Sequence, residues 1–223
     1  MVLTLYTDPL SQPARAVTTF LKVTKIEYVE EIVGLLSGDL KTPEFAKINR
    51  FQMLPALVHD DFHLAESVAI FLYLIQTHPV ADHWLPKETR AQARVHEFIS
   101  WHHTALRIPV VTYIISVLQP PPLMIKAFGE RQITPVDVAH FKMRAERALD
   151  IVENIWLKET KFVSGDQISI ADLFAVEEIE QLKIIKFNFR AGRPNLSAYL
   201  DRVKEFVGAE LYDEIHQILG PGA

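Results

Sequence analysis

Val2-Leu3-Thr4-Leu5-Tyr6-Thr7-Asp8-Pro9-Leu10-Ser11-Gln12-Pro13-Ala14-Arg15 is the stretch on which the fold turns. Its first six residues alternate in type and carry β-branched and aromatic side chains, which predicts a strand over residues 2–7, ended by Asp8-Pro9. Pro13 sits where proline is best tolerated, in a first helical turn, and Ala16, Val17, Phe20 and Leu21 recur at helical spacing over residues 14–23. The seam between strand and helix therefore places the Ser11 hydroxyl at a helix N-terminus, a position that favours anions. Ser11 or Gln12 there reads first as a helix cap, since small polar residues are preferred at such positions. No general base lies near Ser11 in sequence and no G-x-S-x-G elbow surrounds it, so a hydrolase triad has little support. As a hydrogen-bond donor, by contrast, the hydroxyl would favour the ionised form of a bound sulfur.

Working outward, residues 26–33 read as a second strand leading to a loop at 34–38, and Thr42-Pro43-Glu44 opens a short helix ending near Asn49. Residues 54–58 and 62–64, split by His59-Asp60-Asp61, form a hairpin with an acidic turn. Glu66-Ser67 then begins a helix through Leu74. The order βαβαββα gives an α/β unit over residues 1–80. After a linker at 81–87, residues 88–223 read as all-helical, with breaks marked by proline. Residues 87–118 form one amphipathic stretch that Pro109 should bend and Pro120-Pro121-Pro122 should stop. Thr134-Pro135 starts a helix running to about Trp156. Ser169 and Asp172 have capping-box spacing ahead of a buried helix, and residues 195–207 and 210–219 complete the set.

The chain has 223 residues, 49% of them hydrophobic, enough for a substantial core. With 23 Lys plus Arg against 28 Asp plus Glu, the charge of −5 gives no electrostatic footprint for nucleic acid or anionic lipid. There is no cysteine, which excludes disulfides, thiolate metal sites and a cysteine nucleophile, so any thiol chemistry must come from a bound molecule. The first residues lack the flanks of a secretion signal and no run of about 18 apolar residues occurs, so a cytoplasmic location with no membrane partner is expected. His102 and His103 are neighbours on a helix, about 100° apart, which is poor geometry for chelation, so no metal is expected.

Two further segments matter for binding. Base rates read Leu54-Pro55 as an ordinary trans bond at a strand's start, whereas a cis bond would expose backbone groups to a peptide-like ligand. Glu66-Ser67 reads first as a cap, and second as a carboxylate and hydroxyl beside backbone N–H groups that can hold a ligand carboxylate.

Taken in order, Ser11 in the first loop, Leu54-Pro55 before the third strand and Glu66-Ser67 after the hairpin resemble the glutathione transferases, especially their theta class. So do Asp82-His83-Trp84-Leu85-Pro86, the stretch 90–107 with Trp101-His102-His103-Thr104, and Ser169-Ile170-Ala171-Asp172-Leu173. The resemblance covers essentially the whole chain. It implies a thioredoxin-like domain that binds glutathione, a helical domain that supplies the pocket for a small electrophile, and a homodimer in which Phe51 meets the partner. On that basis Ser11 stabilises the glutathione thiolate, Pro55 is the family's cis-proline, Leu54 bonds the cysteinyl backbone, and Glu66 and Ser67 hold the γ-glutamyl end. Gln12 and Lys41 are further glutathione-binding candidates, and Arg107 is a candidate for the electrophile pocket or the partner subunit.

Two positions depart from the family. Leu40 stands where theta enzymes commonly have histidine, and Met53 where they commonly have lysine. Losing two solvent-accessible ionic hydrogen bonds of about 1 kcal/mol each would weaken glutathione roughly tenfold to thirtyfold, unless Lys41 or Arg50 substitutes. The expected activity is conjugation of glutathione to alkyl or aralkyl halides, epoxides or peroxides. The alternatives are a non-catalytic binding or scaffolding protein and a narrow glutathione-dependent dehalogenase.

Overall fold

The structure is a computed structural model that describes residues 2–120, 123, 127–129 and 131–221. Strand β1 (Leu3–Thr7) buries Leu3 and Leu5 on one face and leaves Tyr6 half-buried on the other, as alternation requires. Helix α1 (Gln12–Thr24) ends on Lys25, whose left-handed backbone lets its N–H close on the carbonyls of Leu21 and Lys22. β2 (Val29–Ile32) pairs parallel with β1, while β3 (Ala56–His59) pairs antiparallel with β1 and with β4 (Phe62–Ala65). The sheet order is β2-β1-β3-β4. The acidic hairpin turn is pinned to β1, because the Val2 N–H donates to Asp60 Oδ1 at 2.9 Å and the Asp60 N–H to the Val2 carbonyl at 3.2 Å.

Helices α1 and α3 (Ser67–Thr77) cover the face of Leu3, Leu5 and Leu57. On the other face, α2 (Pro43–Ile48) contributes Phe45 to a small cluster with Leu40, Leu54 and Tyr6. This is the expected thioredoxin-like α/β part; β2 is shorter than the strand expected over residues 26–33, with Ile26 retained in the core.

The helical part begins with α4 (Thr89–His102), capped by the Glu88 carboxylate. A π-helical turn (His103–Arg107) joins it to α5 (Ile108–Leu118). Sequence reading placed a bend at Pro109. The structure instead widens the preceding turn, because proline has no N–H for the carbonyl four residues back and its ring crowds that position. α5 ends with Gln119 in the left-handed region; Pro121 and Pro122 lie outside the described residues.

α6 (Pro135–Ile151) starts in a capping box of Thr134 and Asp137 and runs into a second π turn (Val152–Trp156). α7 (Ile170–Glu180) is buried at every residue. Its predicted capping box is present: Ser169 accepts from the Ala171 N–H, and the Asp172 carboxylate accepts from the Ser169 N–H at 2.8 Å. A 3₁₀ turn (Gln181–Ile185), α8 (Pro194–Val207) and α9 (Ala209–His216) follow. The core runs without interruption from the sheet to α8, through Phe71 against Phe174 and Phe20 against Trp84. No described helix is long and apolar enough to cross a membrane.

Candidate functional site

Strand register brings the candidate residues of the α/β part to one end of the sheet. Tyr6 pairs with Ala56, Ala56 with Ala65, and Thr7 with Ile32. The loops after β1, after β2, before β3 and after β4 therefore meet at the same end. Ser11, Gln12, Lys41, Leu54, Pro55, Glu66 and Ser67 all stand in or next to those loops.

The loop before α1 is held tightly. The Ser11 N–H donates to the Asp8 carbonyl at 2.9 Å, and the Asp8 carboxylate accepts from the N–H groups of Leu10 at 2.7 Å and Leu35 at 2.6 Å. Ser11 occupies the N-cap position of α1 and is buried, yet its side chain makes no capping bond. The capping reading of Ser11 thus fails, and its hydroxyl remains available at the end of a helix whose first turn has no acidic residue. Gln12, the first residue of α1, is buried.

The Leu54-Pro55 bond is cis, against the base-rate reading. The loop before it is knit by Asn49, whose Nδ2 donates to the Met53 carbonyl at 2.7 Å and whose Oδ1 accepts from the Phe51 N–H at 2.9 Å. Leu54 precedes the β3 ladder, which begins at Ala56. Glu66 is exposed, adopts φ 70°, and sits at the N-cap of α3 without a side-chain capping bond, while Ser67 is buried. Capping does not account for Glu66 either.

Leu40 is turned inward against Phe45 and Leu54, and its neighbour Lys41 is exposed and forms no salt bridge among the described residues. The Arg50 guanidinium lies 4.6 Å over the Phe51 ring.

Arg107 closes the π turn and pairs with Glu178, a fully buried carboxylate on α7. Burial pushes the Glu178 carboxyl up, but Arg107 and His102 outweigh it and hold it below the usual range. His102 is buried with Nε2 3.7 Å from Glu178, and His103, beside it, is depressed by burial and by the charges of His102 and Arg107. Among the described residues no group of three or more His, Asp or Glu side chains is placed to hold a metal. A surface cavity of about 610 Å³ lined by Arg94, Trp156, Lys158 and Ser164 belongs wholly to the helical part and includes none of these site residues.

Sequence reading missed Glu178 and also Glu177 and Gln181, which clasp Arg15. The available signal was three glutamates, Glu177, Glu178 and Glu180, in a helix otherwise suited to burial, since buried carboxylates require cationic partners elsewhere in the chain.

Comparison with known proteins agrees with this architecture. The family models for the glutathione S-transferase N-terminal and C-terminal domains match residues 1–76 and 131–205. Human glutathione S-transferase theta-2 is 37% identical over 98% of this chain and 87% of its own length, and bovine theta-1 is 36% identical over 98% and 89%. The human theta-class enzyme in complex with the glutathione conjugate of 1-menaphthyl sulfate superposes with a TM-score of 0.91, at 36% identity over 98% of this chain and 87% of that one. The chain belongs to the glutathione S-transferase family and, within it, to the theta class.

Proposed function

We propose that the protein transfers the glutathione thiolate to small hydrophobic electrophiles, with the Ser11 hydroxyl donating a hydrogen bond to the sulfur. The observation that carries this reading is the uncommitted Ser11 hydroxyl at the N-terminus of α1, set beside the cis Leu54-Pro55 bond and the Glu66-Ser67 turn. The relatives add support: human theta-2 has been crystallised with glutathione, and a human theta enzyme with a glutathione conjugate.

In this scheme residues 1–80 bind glutathione and residues 88–223 shape the electrophile pocket, the two joined at 81–87. Leu54 pairs through its backbone with the cysteinyl unit, Glu66 and Ser67 take the γ-glutamyl amine and carboxylate, and Gln12 borders the thiol. Exposed Lys41 serves the glycine carboxylate. The hydroxyl and the helix dipole favour the thiolate over the thiol. The thiolate lone pair forms the new C–S bond while the bond from carbon to the leaving group breaks, its electron pair departing with that group. Arg107 is assigned to a departing anion in the electrophile pocket or to the partner subunit, with Glu178 already neutralising part of its charge. The working form is a homodimer with Phe51 at its interface, acting in the cytoplasm in detoxification.

The test is Ser11→Ala. Deleting one hydrogen bond to a charged sulfur should lower turnover with an aralkyl halide about tenfold to a hundredfold, and raise the thiol pKa of bound glutathione. Unchanged rates with several electrophiles would remove Ser11 from the mechanism. Calorimetric titration with glutathione and S-hexylglutathione separates the alternatives. Absence of binding would favour a scaffold, and binding with turnover of one halide alone a dehalogenase.

A further inference from the structure

Arg15 lies one helical turn beyond Ser11 and is only 2% exposed. Its Nε donates to Glu177 Oε2 at 2.6 Å, and its Nη2 to the Glu177 carbonyl at 3.1 Å and Gln181 Oε1 at 2.6 Å. Its Nη1 donates to the Pro9 carbonyl at 2.7 Å. Gln181 in turn donates from Nε2 to the Leu10 carbonyl at 3.2 Å. The two carbonyls immediately before Ser11 are therefore each held by a side-chain donor, and one of those donors belongs to the helical part of the molecule.

This clasp is itself braced. Thr19 Oγ1 donates to Glu177 Oε1 at 3.3 Å, and His216 Nε2 on the last helix stands 3.2 Å from Glu177 Oε2. Burial pushes the Glu177 carboxyl up, yet His216 and Arg15 bring it down to about 2, so it remains ionised at neutral pH.

Stability alone is a poor account of the arrangement, since apolar groups of similar volume close an interface as well as a buried ion pair does. Apolar replacements would, however, leave the Pro9 and Leu10 carbonyls without these donors. A planar guanidinium divides its donors among fixed acceptors in a way that suits positioning.

We propose that Arg15 and Gln181 are positioning residues: through the Pro9 and Leu10 carbonyls they fix where the Ser11 hydroxyl points, so that the helical part sets thiolate stabilisation in the α/β part. The inference rests on the reading of Ser11 as the thiolate donor. Hydrogen-bonding geometry at such a site must hold to within about 0.5 Å, which a loop attains only when its backbone is fixed by neighbours.

The test uses the full chain and two conservative variants. Gln181→Glu keeps the volume and the acceptor for Arg15 but loses the donor to Leu10. Arg15→Lys keeps a cation facing Glu177 but loses the fork. The readouts are the ultraviolet thiolate signal of bound glutathione against pH, and the pH profile of kcat/KM for a benzyl halide at saturating glutathione. Each variant should raise the apparent thiol pKa by about one unit and lower kcat/KM near neutral pH about tenfold. Calorimetric glutathione affinity should stay within about threefold, because Leu54, Glu66 and Ser67 are untouched.

A purely structural role would lower the thermal midpoint and leave the thiol titration in place. Shifts below about 0.2 unit in both variants, with Ser11→Ala shifted in the same assay, overturn the inference alone. If Ser11→Ala does not move the titration, the Ser11 reading fails and this inference with it. Should Arg15→Lys fail to fold, Gln181→Glu and the neutral Gln181→Met decide the matter.

Discussion

At the scale of single residues, Leu40 and Lys41 show how a departure from a family pattern acquires meaning only in the structure. Leu40 sits in an apolar cluster with Phe45 and Leu54, so a leucine here steadies the loop under the cis bond. Restoring the family's histidine by Leu40→His should therefore place a polar ring in an apolar site, destabilising the protein by about 1–3 kcal/mol without tightening glutathione. Urea unfolding and calorimetry check the two halves of that statement, and an affinity gain of tenfold or so would show that the loop can turn the ring outward. Lys41 is the exposed cation of the pair. On the proposed role of Lys41, Lys41→Met should weaken glutathione about threefold to tenfold, an effect that shrinks as salt is raised because the lysine is exposed. A loss independent of ionic strength would point to packing in place of charge.

At the scale of elements, Asp172 links the start of α7 to the loop before it. Its carboxylate accepts from the N–H groups of Val163 at 2.9 Å and Ser169 at 2.8 Å, and it is fully buried. Asp172→Ala leaves those donors unpaired and should cost about 2–4 kcal/mol in denaturant unfolding, more than an exposed cap, because water cannot replace the carboxylate. An effect below about 1 kcal/mol would mean that the loop rearranges to satisfy them. This cap was legible in the sequence because its signal is local: two residues three positions apart and an apolar run. The succession of strands and helices along the first part of the chain and the hairpin were legible for the same reason. The π turns were not, since the widening at 103–107 depends on how the helix accommodates Pro109 against its neighbours, and α6 shows a second one with no proline to announce it. The cis state of Leu54-Pro55 is likewise fixed by tertiary context; residue frequencies alone favoured trans. The candidate residues at the end of the sheet were proposed through family resemblance, whereas the clasp joins Arg15 to Gln181, 166 positions away, and had no local signature.

At the scale of the whole molecule, that clasp makes the union of the two parts depend on pH. The carboxyl of Glu177 titrates at about 2 in the folded protein, against an ordinary 4.5. Its folded value is lowered, so the unfolded chain binds the proton more tightly, and the Glu177 contribution is present above about pH 4.5 and lost as pH falls toward 2. Asp172 acts in the opposite sense: burial raises it from 3.8 to about 6, so its stabilisation is present below about pH 3.8 and is lost as pH rises through 6. Glu177→Gln removes the first effect and leaves the second. The variant should be less stable than the parent by about 3 kcal/mol near pH 6, because Arg15 keeps its charge in a buried site and loses its counter-ion. From about pH 6 to about pH 3 the difference should narrow by about 2 kcal/mol, because Glu177 takes up its proton in the unfolded parent while the folded protein still holds it ionised. Urea unfolding of both proteins at matched ionic strength across that range gives the difference directly, and the Asp172 contribution cancels between them. A difference that stays flat with pH would show that Glu177 titrates alike in the folded and unfolded chains. The ion pair would then join the two parts by shape alone, with no electrostatic hold on the Ser11 loop.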